Sequence, residues 1–200
     1  MKTAAAADSR EEVILNATDR LLARYGYKKM TIDDLAKEAG IGKGTVYLHF
    51  KSKEDVVLSH VDRIVRRLLD RQRAIIESDD APADKLRQML LLRVMFRFDS
   101  VQHYTESISE VLRDLRTGLL ERRQRWFEEE AKVFAVVLRE GQRAGEFRRH
   151  DALPTARTLI FATNSLLPFS LSTQELGKRR EVEQVASRIA ELVLEGLVSR

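Results

Sequence analysis

The sequence predicts an all-α protein. Three observations lead there: only nine glycines and three prolines in 200 residues, no uninterrupted run of β-branched residues, and apolar side chains recurring at three- and four-residue steps. With 44% hydrophobic and 33% charged residues the chain has enough apolar material for a core and is not of the disordered type.

Capping patterns divide the chain into about nine helices. Ser9 and Glu12 form a capping box ahead of the stripe Val13, Ala17, Leu21, so a first helix is expected from Ser9 to a stop at Gly26. Thr31 and Asp34 repeat the pattern and open a short second helix that Gly40 closes. A third runs from about Lys43 to His49. Ser52 and Asp55 begin a long fourth helix, striped at Val57, Val61, Ile64 and Leu68 and reaching to about Glu77. The fifth follows Pro82 and carries Leu86, Met89, Leu90 and Phe96; Ile108, Val111, Leu112 and Leu115 mark the sixth. Trp126, Phe127, Phe134 and Leu138 lie on a long seventh that ends near Gly145. Asp151 caps the eighth, which tolerates Pro154 in its first turn and contains the apolar "LIFA" and "LLPF". A ninth carries Val182, Val185, Ala186, Ile189, Val193 and Leu197. No internal repeat interrupts this order. The expected division is a small head, 1–52, and a larger, greasier helical domain, 53–200.

Cysteine is absent, which rules out disulfides and thiolate metal sites and fits a reducing compartment. "MKTAAAADSR" is no signal peptide, and no run approaches eighteen apolar residues, so a soluble, cytoplasmic protein with no membrane partner is expected. The formal net charge of +4 is mild, but seven basic residues face three acids between Arg24 and Lys53, a net of +4 in that window alone. A solvated basic face or a polyanionic partner would both produce this.

Within the window, "AGIGKGTVYLHF" invites a phosphate-loop reading that the residues do not support. A Walker loop needs glycine where Lys37 stands and Ser or Thr where Gly44 stands, and the dinucleotide fingerprint fails at Thr45. The upstream "TIDDLAKEA" also has helical rather than strand periodicity. No enzyme and no cofactor is expected.

The same residues fit a helix-turn-helix. Small Ala36 sits where two helices cross, Gly40 makes the turn, and Val46 and Phe50 lock the third helix into the core. At 100° per residue, Gly44 and Leu48 then fall opposite Val46 and Phe50, with Thr45 and Tyr47 on the flanks. An exposed Leu, a Tyr, a Thr and a bare glycine suit a DNA major groove: Leu48 can meet a thymine methyl and Tyr47 can bond a phosphate. Lys43 opposes the helix dipole, which a phosphate or a guanine edge would offset. Thr31 and Lys53, at the starts of the second and fourth helices, can clamp phosphates.

The stretch "TIDDLAKEAGIGKGTVYLHFKSKEDVV", preceded by "LLARYGYKKMT", resembles the DNA-binding domain of the TetR (tetracycline-repressor) family over roughly the first sixty residues. The resemblance implies DNA-facing positions for Lys43, Thr45, Tyr47 and His49 and phosphate positions for Thr31 and Lys53. It also implies a homodimeric, ligand-responsive transcription regulator, usually a repressor of a double-stranded DNA operator, with the last two helices as dimer interface. The rival an all-helical fold leaves open is an adaptor that binds only proteins.

His49, His60, His103 and His150 lack the spacing of a helical metal site, so no metal is expected. Glu128, Glu129 and Glu130 are consecutive, splay around their helix and read as a solvated face. Met89, Met95, Phe96, Phe98, Trp126, Phe127, Phe134 and Phe161 read singly as core; together, with the resemblance, they imply an effector cavity among the fourth to eighth helices. Arg93, His103, Tyr104 and Asn164 are the polar residues expected to orient a small-molecule effector there. Residues 159–162 are apolar all round, as in a helix buried by its own core and by a partner. Ile160, Leu167, Val182, Val185, Ala186, Ile189 and Val193 are accordingly expected at a four-helix dimer interface.

Overall fold

The computed structural model describes residues 2–102, 104, 107–167 and 177–198. Among these are nine α-helices: α1 (Lys2–Lys29), α2 (Ile32–Ala39), α3 (Lys43–His49), α4 (Lys53–Ile76), α5 (Pro82–Val101), α6 (Ser107–Asp114), α7 (Arg116–Arg143), α8 (Ala152–Ala162) and α9 (Arg179–Leu197). A 3₁₀ turn (Asn164–Leu166) follows α8, and the only β-pairing among the described residues is an isolated bridge between Phe147 and Val198. No helix among the described residues is long and apolar enough to cross a membrane.

Two helices differ from the sequence expectation at their ends. α1 begins at Lys2 rather than Ser9, because the alanine-rich "KTAAAAD" has the highest helix propensity available. Gly26 interrupts α1 with φ 75° and ψ 172°, and helix resumes to Lys29. The eighth helix stops at Ala162 instead of running into "LLPF". Leu167, which precedes Pro168, is extended at φ −102°, ψ 147°, since a proline ring disfavours helical backbone in the residue before it. Pro168 and Phe169 lie outside the described residues. Asp151 stands at the N-cap of α8 but makes no side-chain capping bond.

The chain packs as two compact units: Met1–Ile64 with His103–Leu119 (unit 1), and Val65–Gln102 with Leu120–Arg200 (unit 2). Unit 1 is thus larger than the 1–52 head. The reason lies in α4, whose first three turns are bolted to α1 at both ends. Lys53 Nζ donates to Tyr27 O (3.0 Å). Buried Arg63 donates from Nη1 to Asn16 Oδ1 (2.7 Å) and from Nη2 to Leu15 O (2.9 Å). Ile14, Leu21, Leu35, Val46, Phe50 and Val57 form part of its core. In unit 2, α5 packs on α9, joining Val94, Met95 and Phe98 to Val182 and Ala186.

Candidate DNA-reading face and ligand unit

α2 and α3 are set by local chemistry. Thr31 Oγ1 accepts from Asp34 N (3.1 Å) and the Asp34 carboxylate accepts from Thr31 N (3.1 Å), closing the capping box. The Thr31 hydroxyl and backbone bonds hold Asp34's carboxyl below the usual carboxylate range. Gly40 ends α2 in the left-handed region (φ 68°), where a Cβ would be strained, and its N–H is used by the last carbonyls of α2. The chain therefore turns sharply into α3.

α3 buries Val46 (0% exposed) and shows Leu48 (82%) and Tyr47 (51%) to solvent, with Thr45 and His49 half-buried. A Cβ at Gly44 would meet nothing within 4 Å, so this position offers bare backbone on the outer face. Leu48 therefore buries little of its side chain against the protein's own core. Lys43 Nζ lies 2.9 Å from Asp33 Oδ2, and the hydrogen bond to Asp33 raises the lysine above its ordinary value. Asp33 is a partner that the sequence reading missed, although its spacing across the turn was available.

Lys53 is placed differently from a free phosphate clamp. Gly26 breaks α1, and the freed carbonyls of Tyr27 and Lys28 need donors. Lys53 Nζ supplies them, 3.0 Å and 3.5 Å away, and lies 4.4 Å from the Tyr27 ring centroid.

Unit 2 brings together part of the expected ligand set. Met89, Arg93, Trp126 and Phe127 are buried there, Phe96 is half-buried with the Arg71 guanidinium 5.0 Å from its ring, and Asn164 is half-buried in the 3₁₀ turn. Phe127 and Phe161 meet edge to face, centroids 6.1 Å apart. Both line a cleft of about 500 Å³ with Leu120, Ile160, Arg123 and Gln124, beside the Glu128–Arg157 pair. Tyr104 is instead in unit 1, where its hydroxyl meets His60 Nε2 (2.8 Å) and the Asp19 carboxylate. Burial first, then the bond to Asp19, pushes the Tyr104 phenol up. His103 lies outside the described residues.

The reading of residues 128–130 as a solvated face is corrected at Glu130, which is fully buried. Its Oε2 lies 3.2 Å from Arg93 Nε and 3.0 Å from Arg97 Nη2, and its Oε1 accepts from Gln72 Nε2 at 2.9 Å. Burial alone would push its carboxyl up, but the two guanidiniums and the Gln72 amide outweigh that and leave it lowered. Burial brings Arg93 down to about 10, so it stays charged at neutral pH. Arginines one turn apart in the otherwise apolar stretch 89–98 of α5 were the sequence signal for this group.

The expected interface residues divide by face. Ile160, Leu167, Val182 and Ala186 turn into the chain's own core. Val185 and Leu192 are exposed, Ile189 and Val193 are half-buried, and on α8 Phe161 is 64% exposed.

A glycine-turned pair of short helices, the second showing Tyr47, Leu48 and bare backbone outward, on an all-helical body, defines a helix-turn-helix transcriptional regulator. Comparison with known proteins agrees. The model of "Bacterial regulatory proteins, tetR family" matches residues 14–59, so the chain carries the DNA-binding head of that family of transcriptional regulators. It is 25% identical over 188 residues to the fatty acid metabolism regulator protein of Bacillus subtilis, covering 92% of this chain and 93% of that one. It is 27% identical over 196 residues to the HTH-type transcriptional repressor KstR2 of Mycolicibacterium smegmatis, covering 94% and 91%. A crystal structure of a transcriptional regulator from Cytophaga hutchinsonii shares the fold, with a TM-score of 0.77 at 20% identity over 94% of this chain and 98% of that one.

Proposed function

We propose that the protein is a cytoplasmic repressor that binds a near-palindromic DNA operator as a homodimer and is released by a small apolar effector. The observation that carries the reading is the outer face of α3, where Tyr47 and Leu48 are exposed beside a glycine while Val46 and Phe50 fix the helix from behind. In this reading Gly44, Thr45, Leu48 and His49 approach base edges, and Thr31, Lys43 and Tyr47 take phosphates or a guanine. Lys53 sets the start of α4 against α1 and adds positive charge near the backbone.

The dimer forms through the outward residues of α8 and α9, with Phe161, Val185, Ile189, Leu192 and Val193 at its centre. The effector binds in unit 2 among Met89, Arg93, Phe96, Trp126, Phe127, Phe161 and Asn164, and an apolar molecule suits those walls. The kinship with a protein named for fatty acid metabolism supports an apolar effector. α4 is the coupling element: residues 53–64 are tied to α1 and residues 65–76 belong to unit 2, so an effector that shifts the second half must move the first.

Selection from a random duplex pool tests the function. The recovered sites should be near-palindromes with half-sites about one turn, ~34–36 Å, or a multiple apart. Recovery of no preferred sequence would leave a helical adaptor as the better account.

A further inference from the structure

Inside unit 2 the charges do not balance. Arg93 and Arg97 stand one turn apart on α5, both almost wholly buried, and Glu130 is the single carboxylate paired with either among the described residues. Arg123 adds a third guanidinium, 4.9 Å from the Phe127 ring, close enough that its charge opposes that of Arg93. Among the described residues no carboxylate pairs with Arg123. Arg157, by contrast, is already neutralised by Glu128 through two hydrogen bonds of 2.9 and 2.8 Å.

Hydrogen bonding is incomplete at the same place. Among the described residues, Arg93 Nη2, Arg97 Nε and Arg97 Nη1 find no acceptor and Gln72 Oε1 finds no donor, although all are buried. Arg93 Nη1 does donate, to Thr163 Oγ1 at 3.0 Å, so the guanidinium is held in place rather than loose. Two buried cations against one anion, with N–H groups unanswered, is a costly arrangement for a core that serves packing alone. One further negative charge would balance the pair and answer those N–H groups. Phe127 neighbours both the pair and open space: its ring is 5.6 Å from the Arg93 guanidinium carbon, and it lines the cleft of about 500 Å³ with Leu120, Ile160 and Phe161.

We propose that unit 2 binds an amphiphilic anion, its oxyanion head anchored by Arg93 and Arg97 and its apolar tail lying in the cleft along Phe127. The proposal rests on unit 2 being the effector-binding unit and adds the charge of the ligand and the residues that select it. Arg97, Gln72 and Glu130 are thereby part of the site: Glu130 orients both guanidiniums, and Gln72 holds Glu130.

Calorimetric titration of the full-length protein with decanoate, monodecyl phosphate and 1-decanol, each kept monomeric, tests this. At least one anion should bind about tenfold or more tighter than the alcohol, the gain expected of charge-assisted hydrogen bonds, and the preferred anion tells a carboxylate from a phosphate head. Arg97→Met should remove the preference while 1-decanol still binds. Arg97→Lys, which keeps the charge, should retain part of it and serves if the methionine variant does not fold. Wild type that binds neither anion, or binds anions and alcohol equally, overturns the proposal, as does an Arg97→Met protein with undiminished preference. An Arg97-dependent preference with unchanged operator affinity would keep the site and remove the proposed switch. Operator binding without any preference would remove the site and keep the DNA-binding reading.

Discussion

The Lys43 ammonium and the Asp33 carboxylate lie 2.9 Å apart across the corner between α2 and α3. Both are well exposed, so the pair is weak in stability terms, but it sits where DNA phosphates would come. On the proposed reading, Asp33 would compete with the polyanion for Lys43 and would repel it as well. Asp33→Asn should tighten operator binding several-fold and steepen the salt dependence by about one counterion. Fluorescence anisotropy over a salt series checks this; unchanged affinity and slope would mean that Lys43 does not reach DNA.

Glu130→Gln should destabilise the protein by about 3–5 kcal/mol, because it leaves two buried guanidiniums without their carboxylate. The pH dependence has a definite sign. The folded carboxyl is lowered relative to the unfolded one, so its stabilisation is complete above the unfolded value of about 4.3 and is lost as pH falls through the folded value. Urea melts from neutral to acid pH should show this loss in wild type and a shallower slope in Glu130→Gln.

Gly141 and Gly118 look alike on α7 but should respond differently. A Cβ at Gly141 would overlap the buried Phe147 ring, which cannot retreat, whereas one at Gly118 would meet the flexible end of Leu58 at 2.6 Å. Gly141→Ala should cost about 1–3 kcal/mol of stability. Gly118→Ala should be close to neutral, since the gain in helix propensity, about 1 kcal/mol, offsets a small side-chain shift. Thermal melts of the two variants side by side decide it.

On α9, Val182, Ala186, Ala190 and Leu194 face inward, while Val185, Ile189 and Leu192 form an outward stripe. Leu192→Glu should convert a dimer into a folded monomer, with helicity unchanged and operator affinity lost. Sedimentation at micromolar concentration reads the outcome, and a wild type already monomeric there would remove the dimer from the account.

The reading head is legible in the sequence because its determinants are local. Thr31 with Asp34, Gly40, and the alternation of Val46 and Phe50 against Tyr47 and Leu48 each act within one or two turns. Lys53 is less legible: its role depends on carbonyls 25 and 26 residues earlier, freed by an interruption at Gly26. The Arg93–Arg97–Glu130–Gln72 group is least so. Its members come from three helices, with bonds spanning 33 and 58 residues, and Glu130 follows two exposed or half-buried glutamates that mask it as surface.

DNA reading by α3 is tested most directly by comparing wild type with Tyr47→Ala on the selected operator across a salt series. Tyr47 is half exposed and not resident in the core, so its removal should leave the fold intact. Wild type should lose affinity steeply as salt rises, because phosphate contacts release counterions, and Tyr47→Ala should bind more weakly at every salt concentration with an unchanged thermal melt. Equal binding by both proteins, with no dependence on salt, would contradict it.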